Sequence, residues 1–194
     1  MVRTSLSFSG GNFLLGGAHL AHPEIIDTGK ELIKTCHDMY IKMETRIGPE
    51  NIHWHPVDVD SVYWPQNDAH IAQETKLGYW VSDARYMLRP ETVESYFYGY
   101  RITGEQMYQD WAWDAYENIV KAALSNHGYA EVKDVTVEAG PENRHDGGES
   151  FWGAETLKYL YMIMAEEEVG DLDKWVFSTG EFLPGECGER MGEG

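Results

Sequence analysis

An all-α fold of helical hairpins, with short β-strands confined to the loops, is what this sequence predicts, and three stretches carry the prediction. Residues 24–45 place Ile25, Leu32, Ile33, Cys36, Met39, Tyr40 and Met43 at spacings of three, four and seven, which lays one apolar stripe along a helix. Residues 90–126 hold two helical patterns broken at Gly104. Residues 150–167, beginning SFWGAETLKYLYMIM, are apolar nearly all the way round, the pattern of a buried helix.

The remaining elements follow in chain order. The opening SFSGGNFLLGG has glycines but no following Lys-Ser/Thr, so it is a weak phosphate-binding candidate. From Ile47 to Met87 the chain turns to Gly, Pro, Asn, His and Asp with scattered aromatics, and a long excursion with little regular structure is expected. Loops of that length inside a compact domain are usually functional or poorly ordered. Pro90 suits the first position of a helix that runs through PETVESYFYGYR to the break at ITG. Thr103 followed by Gln106 has the form of a capping box. Behind it Tyr108, Trp111, Ala112, Ala115, Tyr116, Ile119 and Ala123 share one face before Gly128 stops the helix. Two helices joined by one short turn make an antiparallel hairpin. Tyr129 to Glu138 alternates apolar and polar residues imperfectly, as a short strand or extended arm, ahead of the turn-rich AGPENRHDGG. A short extended WVFST comes after the third long helix, and the Gly- and Glu-rich tail, 181–194, is expected to be disordered.

Composition narrows the function. A chain of 194 residues makes one domain or a piece of one. Its 15 Lys and Arg against 33 Asp and Glu give a net charge of −18, too little basic charge to neutralise nucleic-acid or anionic-lipid phosphates. The 7 Trp and 12 Tyr fill a core first, though the same rings stack on sugars, so composition hints at carbohydrate. Cys36 and Cys187 allow one disulfide and no zinc cage of the usual spacing. His53-x-His55 with His70 admits a zinc reading, but isolated pairs of this kind are common in loops. No run of about 18 apolar residues suggests a membrane span. The N-terminus matches a signal peptide poorly, and there is no Asn-x-Ser/Thr glycan acceptor.

Three separated motifs in a fixed order then carry a resemblance. YMLRPETVESYFYGYRITGEQMYQDWAWDAYENI, DGGESFWGAETLKYLYMIM and LDKWVFST closely resemble the C-terminal part of the class I α-1,2-mannosidases, glycoside hydrolase family 47. SFSGGNFLLGG with ELIKTCHDMYIKMETRIGPE is similar to the preceding block, with a fungal flavour, so the resemblance runs from about Leu6 to Thr179. It implies the C-terminal part, residues 1–180, of an (α/α)7 barrel more than twice this long, here an incomplete barrel. A truncated gene model, a partial duplicate or a fragment is the expectation, with apolar faces exposed and poor solubility or oligomerisation as the consequence. The implied activity is inverting, calcium-dependent trimming of α-1,2-linked mannose from high-mannose N-glycans, in the endoplasmic reticulum, the Golgi or outside the cell. The catalytic acid is expected before Met1, so the isolated chain is expected to be inactive. Two readings from other classes stand beside it: a non-catalytic mannose-binding or quality-control module, and an inert helical fragment.

The site residues follow partly from chemistry and partly from that resemblance. Inverting glycosidases hold two carboxyl groups about 6.5–9.5 Å apart, so that a water fits between base and sugar. In Arg89-Pro90-Glu91 the proline puts Glu91 in the first turn of a helix, where the helix dipole and Arg89 favour the ionised carboxylate. The resemblance makes Glu91 the candidate base and Arg89 a substrate-binding residue. It places Glu94, one turn on, in the polar shell near the metal. Phe151 and Glu155, four apart, share a helix face, and the resemblance sets the ring against the apolar face of a mannose and the carboxylate near metal-bound waters. It also makes Thr179 the calcium ligand, through hydroxyl and carbonyl oxygens of the hard type calcium takes. The acidic residue expected next is Gly180 here, with Glu181 one place later. Two departures stand out. Thr4, Ser5, Leu6 and Ser7 occupy the stretch where the family usually has His-Leu and then Cys, so the active-site histidine is missing or displaced. The implied disulfide partner of Cys36 falls on Ser7 and is lost, a change costing about 2–5 kcal/mol in a protein built around the bridge.

Overall fold

The structure, a computed structural model, describes residues 2–3, 7–55, 64–65, 67–178 and 182–184. Helices dominate: α1 (Ser9–His19), α2 (Pro23–Ile41), α3 (Asp68–Leu77), α4 (Glu91–Thr103), α5 (Met107–Ala123) and α6 (Leu157–Met164). Strands are short and lie between them: β1 (Val2–Arg3), β2 (Asn51–His53), β3 (Trp80–Asp83), β4 (Leu124–Ser125), β5 (Gly128–Tyr129), β6 (Trp175–Phe177) and β7 (Phe182–Pro184). The all-α expectation therefore holds, with pairing of β1, β2 and β3 in one antiparallel sheet and of β4–β5 and β6–β7 as antiparallel pairs. The strand β7 lies inside the tail expected to lack structure; Cys187 and the residues from 185 on lie outside the described residues.

Helix α2 stands where its stripe predicted, with Ile33, Cys36, Met39 and Tyr40 buried and Ile25 and Leu32 half-buried. It ends at Ile41, four residues short of the expected end, and Arg46 then takes φ +58° in the turn that follows. The glycine-rich opening is a helix, α1, and its glycines serve contact with α2 rather than a phosphate. A Cβ on Gly29 would lie 2.9 Å from the Leu14 backbone nitrogen and 3.0 Å from the Gly10 carbonyl oxygen, so only bare backbones can approach this closely.

The long excursion is more regular than expected. Asn67 caps α3 by accepting from the His70 amide at 2.9 Å, and Gly78 ends it at φ +84°. Helix α3 buries none of its own residues, so it leaves no apolar stripe in the sequence to find. The hairpin α4–α5 is as expected, with Gly104 at φ +69° in the break. The capping box is not made. The Thr103 hydroxyl instead donates back to the Gly99 carbonyl at 2.7 Å, and the Gln106 amide reaches Gln109 and Asp110. Gly128, at φ +131°, belongs to the β4–β5 turn rather than to a helix stop, since α5 has already ended at Ala123. The expected arm over 129–138 reduces to the end of β5 and two isolated bridges at Val132, one to Tyr86 and one to Arg144.

The core is centred on α4, whose Thr92, Val93, Ser95, Tyr96, Phe97, Tyr98 and Gly99 are all buried as it packs on α1, α2, α5 and α6. Tyr40, Tyr86, Tyr96, Tyr108 and Tyr159 are fully buried, so core filling accounts for much of the aromatic excess. The helix expected to be buried all round is not. Its first part is a π-helical turn, Trp152–Thr156, and α6 shows Leu157, Tyr161 and Met164 to solvent beside Trp113 of α5. Cys36 is buried next to Ser7 and makes no disulfide among the described residues, and burial pushes its thiol up. The serine stands where the resemblance would place a bridging cysteine.

Candidate active site

Three segments far apart in sequence meet at the N-terminal end of α4. The first is the turn ending at Glu50, the second is the run Tyr86–Glu94, and the third is the π turn with the start of α6. The approach to α4 is held tightly. Tyr86 exchanges two backbone hydrogen bonds with Val132, both 2.9 Å, and Leu88 is fully buried at φ +62°, a conformation a side-chain-bearing residue adopts only when its surroundings impose it. The Thr156 hydroxyl, itself buried, donates to the Leu88 carbonyl at 2.6 Å and supplies that restraint. The consequence is a fixed direction for Arg89.

The Arg89 Nε donates to Glu50 Oε2 at 2.6 Å, while Glu50 Oε1 accepts from the Met87 amide at 3.2 Å. The Glu50 side chain is 9% exposed, so this is a nearly buried ion pair with its second oxygen also satisfied. Arg89 lies over the Phe151 ring, 5.7 Å from its centroid, and its Nη1 is 3.8 Å from Glu91 Oε1. Glu91 is therefore a secondary partner of an arginine already committed to Glu50.

That commitment leaves burial as the main influence on Glu91. Burial pushes its carboxyl up, and this outweighs its own backbone amide and Arg89, with Glu50 and Glu155 adding like charge. The helix start and Arg89 act in the expected direction but do not prevail. Its Oε2 is buried with no hydrogen-bond partner among the described residues. Glu94 accepts from the Tyr159 hydroxyl at 2.8 Å. Burial nonetheless pushes it up to about 7, against the Tyr159 hydrogen bond and with Glu91 and Glu155 raising it further. Glu155, half-buried in the π turn, is also raised by burial and lowered in part by Lys158. π-helical turns recur at functional sites.

A raised carboxyl is a stability statement. Glu94 binds its proton more tightly in the folded chain than in the unfolded one, so stability is fullest below about pH 4.5 and falls as pH rises towards about 7. Glu94→Gln, neutral throughout, is expected to stabilise the metal-free protein by about 1–3 kcal/mol at pH 8 relative to its effect at pH 4.5. Thermal unfolding of both proteins at the two pH values measures this. An equal difference at both would show that Glu94 is not held in the raised state.

Of the sequence-predicted residues, the structure brings Arg89, Glu91, Glu94, Phe151 and Glu155 into one cluster, and Thr179 lies outside the described residues. Glu50, Lys158 and Tyr159 also belong to it and were not singled out. The partners of Glu50 and Tyr159 lie 39 and 65 residues away, so nothing local marks them. His53, His55 and His70 gather around the Trp80 ring, at 5.5, 5.3 and 6.4 Å between centroids, and His55 pairs with Glu74. No group of three metal-ligating side chains occurs among the described residues. The carboxylate cluster nevertheless fits a hard cation held through intervening oxygens. Its acids repel one another, they offer only oxygen, and one buried oxygen has no partner among the described residues.

Clustered carboxyl groups beside an aromatic ring are the kinds of group that glycoside hydrolysis draws on. The chain belongs to glycosyl hydrolase family 47, whose profile matches residues 2–182. It is 37% identical over 177 residues to the mannosyl-oligosaccharide alpha-1,2-mannosidase 1B of Aspergillus oryzae, covering 89% of this chain and 33% of that protein. It is likewise 37% identical over 167 residues to the mannosyl-oligosaccharide alpha-1,2-mannosidase of Penicillium citrinum, covering 86% of this chain and 31% of that protein. The solved alpha-1,2-mannosidase from Trichoderma reesei superposes with a TM-score of 0.81 at 37% identity, over 94% of this chain and 39% of that one. The chain thus spans about a third of the length of the curated relatives it matches.

Proposed function

We propose that these residues form the C-terminal portion, residues 1–180, of an inverting α-1,2-mannosidase that trims high-mannose N-glycans, as an incomplete (α/α)7 barrel carrying the base side of the site. The observation that carries the proposal is the convergence of Glu91, Glu94, Glu155, Arg89 and Phe151 at one end of α4, in a chain of this family. Glu91 takes a proton from the attacking water, and Arg89, held by Glu50, orients it. Phe151 offers its face to the apolar side of the sugar, while Glu94 and Glu155 accept hydrogen bonds from waters or sugar hydroxyls. The catalytic acid comes from the part of the family domain these residues do not span.

Calcium is the cofactor proposed, and Thr179, Glu91, Glu94 and Glu155 are the residues that would hold it. When bound, it supplies positive charge that keeps these carboxylates ionised and binds sugar hydroxyl oxygens. Trimming of N-glycans places the protein in the secretory pathway or outside the cell. No helix among the described residues is long and apolar enough to cross a membrane.

The test joins this chain to the N-terminal region of the Trichoderma reesei enzyme. The chimaera is expected to release mannose from α-1,2-mannobiose as the β-anomer, to stop on chelation and to resume when calcium is returned. Release of the α-anomer, or turnover indifferent to chelation, would reject the reading.

A further inference from the structure

Beyond the carboxylates, one cation links two elements of the cluster. Lys158 sits one turn after Glu155 on the same helical run and beside Tyr159. Its Nζ donates to the Ser178 carbonyl at 3.2 Å, just past the end of β6. The same ammonium lies 4.6 Å from the Tyr159 ring centroid and 6.0 Å from that of Phe177. Tyr159 in turn donates to Glu94 at 2.8 Å. Phe177 packs edge-on against Phe97 at 5.6 Å and against Tyr159 at 6.4 Å, so β6 ends against the same aromatic wall. A lysine serving only solubility would extend into water, yet Lys158 is half-buried and stays over aromatic faces with its charge turned to a backbone carbonyl.

We infer that Lys158 is a positioning residue. It ties the backbone at Ser178 to the helix bearing Glu155 and Tyr159, and so fixes the end of β6 against the aromatic wall beside Glu94. The inference rests on the function proposed above.

The consequence is testable in the chimaera with calcium ions as the probe. Lys158→Met keeps the aliphatic stem and removes the donor. It is expected to weaken calcium binding, measured by calorimetry, by at least about tenfold, in the range seen when partners of ligands are lost. It should also lower kcat on α-1,2-mannobiose with KM nearly unchanged. Lys158→Arg, which retains charge and donor, is expected to restore most of both. A Lys158→Met protein with parental calcium affinity and kcat overturns the inference, as does one that loses only thermal stability. Should Lys158→Met fail to fold, Lys158→Gln and Lys158→Arg decide: equal calcium affinity in the two overturns it, and weaker binding in Lys158→Gln alone supports it. A parental chimaera that neither binds calcium nor turns over would instead reject the mannosidase reading, and this inference with it.

Discussion

Glu91→Gln in the chimaera is expected to lower kcat on α-1,2-mannobiose by about 10²–10⁴-fold, the range a general base contributes. Glutamine keeps the shape of the side chain and its approach to Arg89 but cannot accept the proton of the attacking water. Because Glu91 is buried and its carboxyl is pushed up, removing the charge should leave the fold at least as stable as before. A loss of rate without a loss of thermal stability therefore separates a catalytic role from a structural one. The acid limb of the pH–rate profile should vanish with it, since that limb reports protonation of the base. A variant retaining more than about a tenth of the parental kcat would remove Glu91 from the role.

The 194 residues by themselves are expected to release no measurable mannose from the same disaccharide. An inverting mechanism needs an acid across the sugar from the base, about 6.5–9.5 Å away. Glu94, with its carboxyl pushed up to about 7, is the described acid closest to that role in charge state. It stands one turn from Glu91 on the same helix face, though, and so cannot flank the sugar from the other side. Without an acid the leaving oxygen departs unassisted, and a loss of about 10²–10⁴-fold adds to lost positioning. Incubation of the purified chain with α-1,2-mannobiose and calcium, followed by mannose detection, is the measurement. Turnover within about tenfold of the chimaera would show that these 194 residues contain both carboxyl groups of the reaction.

Much of the scaffold was legible because burial writes a period into the sequence. Helix α2 and the α4–α5 hairpin show it, and Gly104 marks the break by needing a left-handed φ. Helix α3 was not legible, since a helix that buries none of its residues has no stripe to read. Helix α1 was hidden by glycines that look like loop formers until Gly29 is seen against the Leu14 and Gly10 backbones. The exposure of Tyr161 on a helix that reads as wholly apolar likewise depends on what packs against it.

By itself the sequence determined the family motifs, the helical class and the acids and ring proposed for the site, because these are statements about residue type and spacing. Only the tertiary structure decided how those groups are held and which way burial moves their carboxyls. Arg89 turns to Glu50 rather than chiefly to Glu91, burial overrides the helix dipole at Glu91, and Tyr159 and Lys158 enter the cluster beside Glu94. Each depends on a partner dozens of residues away or on the removal of water, and neither a distant partner nor a local dielectric leaves a periodic signal in the chain.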